Sequence, residues 1–283
     1  MQVGCLKARF MNIGGLCEFE LPNGKHILID PWFTDLDTGK PWPFPGGQTK
    51  EDIQRVDYII LSHTHADHDF DLGWFVHKFD CPVFCNVMVA DELVKYHHLP
   101  YDNVFPLYPG ETFTNVDFSL TTFNGKHNAA LGYCWPNPPQ AFLSDRIQLQ
   151  HLGSLHEIDL LITTNNNFRI LISGGQVVKE ELFDLCRKNG PNLLLRQSGF
   201  RKREADKMVQ VSPRELAEVF CKYRPQLIVP YHHEIMAKQI GQEATDIYFS
   251  EVANAVADID PGAAMLYPKS WQWYNLTFSI EEI

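Results

Sequence analysis

Residues His63-Thr64-His65-Ala66-Asp67-His68 put three imidazoles and a carboxylate into six consecutive positions. The stretch follows an apolar, β-type run, Tyr58-Ile59-Ile60-Leu61. Alternate side chains of a strand share a face, so a strand that ends in His-x-His aims two ring nitrogens the same way. Asp67 and His68 then come from the turn beyond, where the chain curls back towards a second ligand position. Neutral imidazole and carboxylate are the donors that borderline divalent ions such as zinc prefer. A histidine-rich surface turn is the bland alternative, but a cluster at this spacing on a strand end points to ligands.

Other pieces follow in a set order. Leu28-Ile29-Asp30-Pro31 reads as a strand running into a turn ahead of the motif. His127 closes the run Phe123-Asn124-Gly125-Lys126-His127, and Val229-Pro230-Tyr231-His232 is a later strand end with a histidine at its tip. Together these residues resemble the metallo-β-lactamase superfamily over roughly residues 1 to 270, and within it the lactonase-like branch typified by ascorbate-6-phosphate lactonase. The resemblance implies an α/β fold, a four-layer αββα sandwich, with 1–283 as a single domain.

It also implies a ligand set. His63, His65 and His127 would make a three-histidine site with one position open, and Asp67, His68 and His232 its neighbour, with Asp67 as the catalytic carboxylate. His233 stands beside His232 as an alternative ligand or a substrate contact. Asp30 is either a partner for a ligand imidazole or an ordinary Asp-Pro turn. The expected cofactor is a divalent metal, one or two ions, with zinc first and manganese or iron acceptable to the same donors. Water on such an ion ionises near neutral pH, so hydrolysis by a metal-bound hydroxide needs no side-chain nucleophile.

One departure stands out. The superfamily carries an aspartate after a buried strand in the second half, where it bridges two ions. Here that run is Ile170-Leu171-Ile172-Ser173-Gly174-Gly175-Gln176, with Gly175 in the aspartate's place. Either another group fills the gap, or the site is weakened or mononuclear. Ser173 and Gln176 are uncharged substitutes, and Asp159 is the nearest upstream carboxylate on a strand.

The net charge of -11 disfavours broad nucleic-acid binding, which needs a positive surface. Within that acidic chain Arg196, Arg201, Lys202, Arg203 and Lys207 form a basic run between Leu195 and Ser212. It reads as a loop that is either solvated or receives an anion, with Arg201 as the candidate contact. Trp32, Phe33 and the loop from Trp42 to Pro45 either wall the mouth of the site or pack as an ordinary loop. The seven cysteines are scattered and read as buried thiols. There is no apolar stretch near the roughly 18 residues of a membrane span, and no apolar leader core. A cytoplasmic protein without membrane attachment is the expectation; the oligomeric state is open.

Strands are expected at Leu6–Met11, Cys17–Leu21, His26–Asp30, Pro82–Cys85, Phe113–Asn124, Leu131–Trp135, Leu160–Thr163, Phe168–Ile172 and Leu227–Pro230. Helices are expected at Glu51–Val56, Asp71–Lys78, Ala90–His97 and Glu180–Lys188. Ser212-Pro213-Arg214-Glu215 starts another, with serine as cap, proline at the first position and glutamate at the third. His97-His98 reads as a helix end, His26 and His77 as structural or solvated, and His151 and His156 lack motif support. Three functions compete. A metal-dependent hydrolase of a small molecule, such as a lactone or a phosphodiester and suited to an anionic one, leads. A degenerate, non-catalytic binding protein is the second, resting on Gly175. A nuclease of the same fold is the third, opposed by the acidic charge.

Overall fold

The computed structural model describes residues 2–36, 38–125, 157–175, 179–199, 201–204 and 207–279. In chain order the first half runs β1 (Gln2–Phe10), β2 (Cys17–Glu20), β3 (His26–Ile29), β4 (Tyr58–Ile60), α1 (Ala66–Asp69), α2 (Leu72–Phe79), β5 (Val83–Asn86), α3 (Ala90–His97), β6 (Val104–Leu107), β7 (Thr112–Thr114) and β8 (Phe118–Asn124). The second half runs β9 (Ile158–Thr164), β10 (Arg169–Ser173), α4 (Glu180–Lys188), β11 (Leu193–Gln197), β12 (Arg201–Glu204), β13 (Lys207–Gln210), α5 (Pro213–Cys221), β14 (Leu227–Tyr231), α6 (Glu234–Ile240), α7 (Gln242–Ile259), β15 (Ala264–Met265) and β16 (Trp273–Ser279).

These strands form two mixed seven-stranded sheets, ordered β16-β1-β2-β3-β4-β5-β6 and β15-β14-β11-β10-β9-β8-β7. The period of two along each strand sorts the core into layers. Ile27, Ile29 and Ile60 from the first sheet meet Ile162, Ile172, Leu195 and Val229 from the second in the space between the sheets. The intervening residues face outward. Leu28, Ile59 and Leu61 pack under Leu72, Phe75 and Leu93, which α2 and α3 supply. Leu171, Leu194 and Ile228 pack under Leu182, Leu216, Phe220 and Phe249 from α4, α5 and α7. Central strands buried on both faces read as unbroken apolar runs for this reason. The result is the expected αββα sandwich, with β16 crossing over to complete the first sheet and β7 and β8 to complete the second.

Local chemistry sets the connections. Gly24 takes φ +77 in the turn between β2 and β3, where the sequence has Asn-Gly. Ser212 caps α5, accepting from the Glu215 amide while the Glu215 carboxylate accepts from the Ser212 amide at 2.8 Å. The stretch expected as one strand at 113–124 is a hairpin, β7 and β8, because Asn115 turns the chain by accepting from the amides of Asp117 and Phe118. The basic run differs more. Its residues 201–204 and 207–210 pair antiparallel as β12 and β13 rather than forming a loop. Arg196 does not belong to it: the side chain is fully buried on β11 and donates to the Ser173 carbonyl at 2.8 Å. The strand expected at Leu131–Trp135 lies outside the described residues. Among the described residues, no helix is long and apolar enough to cross a membrane.

Asp57 ties β3 to β4 by accepting from the His26 amide at 2.9 Å and from Lys25 and Arg55. Burial opposes its charge, but the hydrogen bonds from Arg55, Lys25 and the His26 amide prevail and bring the carboxyl down to about 2. A folded value below the unfolded one means the stabilisation is complete above about pH 4 and is lost as pH falls through the folded value. Asp57→Asn is expected to cost roughly 1 kcal/mol near neutrality. In urea denaturation its deficit against wild type should be smaller at pH 3 than at pH 6; an equal deficit would detach it from the carboxylate charge.

Candidate metal centre

The parallel strands β3 and β4 of one sheet, and β10, β11 and β14 of the other, end on a common rim, where the antiparallel β9 begins. The two sheets are stitched together there, since the Ile158 amide donates to the Ser62 carbonyl at 2.9 Å and the His232 amide to the Gly14 carbonyl at 3.1 Å. Past β4 the chain turns at His65 into the short helix α1, which places Asp67 and His68 above the strand ends. From the opposite sheet, β14 runs out at Tyr231 and His232 adopts φ 58. This left-handed conformation is uncommon for residues other than glycine, although histidine, like asparagine and aspartate, is enriched in it.

Asp67, His68 and His232 converge there, their ligating atoms all within 4.8 Å of one another. His68 Nδ1 lies 2.9 Å from Asp30 Oδ2, and Asp30 also accepts from the Ser62 amide and hydroxyl at 2.7 Å each. Bonded to a carboxylate, Nδ1 carries the proton, which leaves Nε2 of His68 as a lone-pair donor. That Nε2 is buried and has no hydrogen-bond partner among the described residues. His232 repeats the arrangement: Nδ1 lies 2.6 Å from Glu234 Oε1, and Nε2 faces Asp67 Oδ2 at 3.3 Å. The second Glu234 oxygen accepts from the Gly14 amide at 3.1 Å.

The electrostatics call for a cation. Burial disfavours a charged His232, yet the carboxylates of Glu234 and Asp67 raise its pKa well above the ordinary value. Burial likewise opposes ionisation of Asp67, but the hydrogen bond from His232 and the charges of the histidines hold it well below the carboxylate range. A site that binds a proton this firmly also suits a divalent ion on the same nitrogen and oxygen. The orphaned Nε2 of His68, the two fixed tautomers and the imidazole-carboxylate donor set fit such an ion.

The other anticipated residues divide. His63 and His65 join the cluster: His63 Nε2 is 3.2 Å from His65 Nδ1, and the His63 and His68 rings are 3.9 Å apart. Asp30 is the imidazole partner rather than a plain turn residue. His233 is not brought in, because its ring packs on Phe249 and Tyr267, and burial lowers its pKa to about 4. His127, Gln176, His151 and His156 lie outside the described residues. Arg201 lies on β12, and Gly175 is buried just past β10. Trp32, Phe33 and Phe44 are core residues, whereas Trp42 is partly buried beside Trp32 with the Lys238 ammonium over its ring. His97 does more than end a helix: its Nε2 is 3.4 Å from Asp69, a buried carboxylate that burial raises to about 6 despite the hydrogen bond from His97.

Two buried acids were not anticipated as site residues. Glu234 follows two places after His232, and a carboxylate so near a candidate ligand is a signal that could have been used. Glu157 has no such signal. It is 2% exposed, and among the described residues both of its carboxylate oxygens lack a hydrogen-bond partner.

Residues 25–233 match the family model described as a β-lactamase superfamily domain. A metal-dependent hydrolase of Cupriavidus metallidurans is 23% identical over 253 residues, covering 87% of this chain and 80% of that protein. The solved structure of Igni18, a metallo hydrolase of Ignicoccus hospitalis, superimposes with a TM-score of 0.66 at 12% identity, over 98% of this chain and 100% of that one. An isothiocyanate hydrolase from Delia radicum gut bacteria gives 0.65 at 18% identity, over 96% of this chain and 100% of that one. At these identities the two structures speak for the fold.

Asp30 and Glu234 touch the imidazoles that face the site, so neutralising either should loosen an ion without removing a ligand. Asp30→Asn and Glu234→Gln are each expected to weaken zinc binding about 10- to 100-fold in competition with a chelating dye. Affinities equal to wild type in both would separate these carboxylates from the histidines' task.

Proposed function

The chain belongs to the β-lactamase superfamily, and on that footing we propose that it is a metal-dependent hydrolase acting on a small molecule. The observation that carries this reading is the convergence of Asp67, His68 and His232, with each imidazole held at Nδ1 by a buried carboxylate. Asp67, His68 and His232 would hold one divalent ion; His63 and His65, with His127, would hold the other. Zinc is the proposed ion, and manganese or iron would accept the same donors. A bound ion supplies Lewis acidity and a water acidic enough to react near neutral pH.

The protein's own groups orient the reaction. Asp30 and Glu234 fix the two imidazole tautomers, while Ser62 holds Asp30. Asp67 is the most exposed of the three converging groups, at 28% against 8% for His232 and 1% for His68. It therefore faces the opening and can accept a hydrogen bond from an approaching water. A lactone or a phosphodiester is the proposed substrate class, because polarising a carbonyl or phosphoryl oxygen is what such a site does. The superfamily relatives named as metal-dependent hydrolases support the reaction type. A degenerate site gives no reason to keep two buried carboxylate–imidazole pairs. The net charge of -11 speaks against a nuclease.

An anionic substrate would meet the β12–β13 hairpin. Its foot is tied to the site: Gln210 donates to the Ser198 carbonyl at 3.1 Å, and the Ser198 amide donates to the carbonyl of Tyr231, the residue before His232. Arg201, Lys202 and Arg203 on that hairpin are the proposed anion contacts.

Replacing His63 and His65 together by alanine should strip the first ion and abolish hydrolysis, because a lone remaining histidine cannot retain it. Elemental analysis of the purified variant checks this, and an unchanged metal content would remove both residues from the ligand set. Replacing Arg201, Lys202 and Arg203 by alanine should raise KM several-fold for a charged ester and leave a neutral analogue unaffected. Equal effects on the two would return the hairpin to an ordinary surface element.

A further inference from the structure

We propose that Glu157 supplies, from the neighbouring strand, the carboxylate that position 175 lacks, and that it is an anionic ligand of the metal centre. This rests on the reading of the site as a metal centre. The strand ends carry the argument first. The antiparallel ladder of β9 and β10 ends at Leu160 and Ile172. Glu157 immediately precedes β9, and Gly174 and Gly175 follow β10, so the three lie at the same end of this strand pair. Glutamate also reaches one methylene further than aspartate.

The space has been cleared for this side chain. A Cβ at Gly174 would lie 2.7 Å from Glu157 Oε1 and 2.9 Å from the Tyr231 hydroxyl. A Cβ at Gly125 would lie 2.8 Å from its Cγ and 2.6 Å from its carbonyl carbon. Neither glycine can carry a side chain while Glu157 stays where it is. The strand start is anchored at the ligands, because the next amide, Ile158, donates to Ser62, the residue before His63.

Ionised, the carboxylate calls for a cation. It is 2% exposed, and among the described residues neither oxygen has a hydrogen-bond partner. A native protein rarely leaves a buried carboxylate wholly unpaired, because desolvation is not repaid. The electrostatic neighbours of Glu157 include two further buried carboxylates, Asp159 and Asp30, and one buried guanidinium, Arg196. Asp30 is already engaged by Ser62 and His68, and Arg196 donates to the Ser173 carbonyl. The buried charges are thus weighted to the negative, and His232 lies within the same electrostatic range. A divalent ion at the histidines meets that excess.

The test is calorimetric titration of the chelator-stripped full-length protein with zinc chloride, alongside thermal melts of the stripped forms. Glu157→Gln should weaken ion binding by more than about 100-fold, beyond the loss of an outer hydrogen bond. The stripped variant should melt no lower than stripped wild type, since the amide removes an unpaired buried acid. Adding Gly175→Asp to Glu157→Gln should recover affinity, by returning the carboxylate to the opposite strand. Glu157→Asp, which keeps the charge on a shorter arm, should be weakened about 10-fold and guards against a variant that fails to fold. Unchanged zinc affinity and stoichiometry in Glu157→Gln and Glu157→Asp would overturn the proposal while leaving the metal centre standing. A wild type that takes up no zinc would overturn the metal reading itself, and this proposal with it.

Discussion

Everything at the rim depends on one fully buried carboxylate, that of Asp30. It accepts the Ser62 amide and hydroxyl with its two oxygens, and the His68 imidazole shares the second. Those three bonds join the ends of β3 and β4 to helix α1. A buried anion without partners costs more than any of these contacts returns, so the geometry around Asp30 has few alternatives. It also takes φ 46, a conformation tolerated because the carboxylate is fixed on both sides. The rim is therefore held by electrostatics laid over a hydrophobic sandwich, and the sandwich supplies the dry surroundings in which such bonds are strong.

His232 and Glu234 reproduce the scheme from the other sheet. The amide and carbonyl of Gly14 clasp that pair, the amide bonded to Glu234 and the carbonyl receiving the His232 amide. Each sheet thus contributes an imidazole locked by an acid. The two meet only because the sheets pack face to face, which makes the site a property of the sandwich rather than of either half.

The sequence carried much of this. The apolar run before His63 and the His-x-His spacing follow from the period of two, and both survive in β4 and its continuation. The serine-proline-glutamate start of α5 is local chemistry and forms as expected. What local pattern could not supply are distances between strands far apart in the chain. Nothing adjacent to Glu157 marks it, since its spatial neighbours, Gly125, Gly174 and Tyr231, come from three other strand ends. Arg196 looks like a member of a basic run on the page, yet alternation along β11 turns it into the interior. His232 and His233 are equivalent by composition; the φ of 58 at His232 directs one ring to the site and leaves the other among Phe249 and Tyr267. Strand alternation is legible, whereas a backbone turn at a single residue is not.

The pairing of β1 with β16 has a consequence for how the chain comes together. Gln2 lies opposite Ser279 and Arg9 opposite Trp273, so two strands widely separated in the chain are partners. Until Trp273 to Ser279 dock, that side of β1 is an open edge, and Leu6 lacks the cover that Leu276 gives the same core. Contacts of such long sequence separation slow folding, because loop closure precedes the gain. An unpaired apolar edge exposed meanwhile invites association with other nascent chains. Docking of β16 on β1, more than the assembly of the rim, is then the step at which this fold becomes secure.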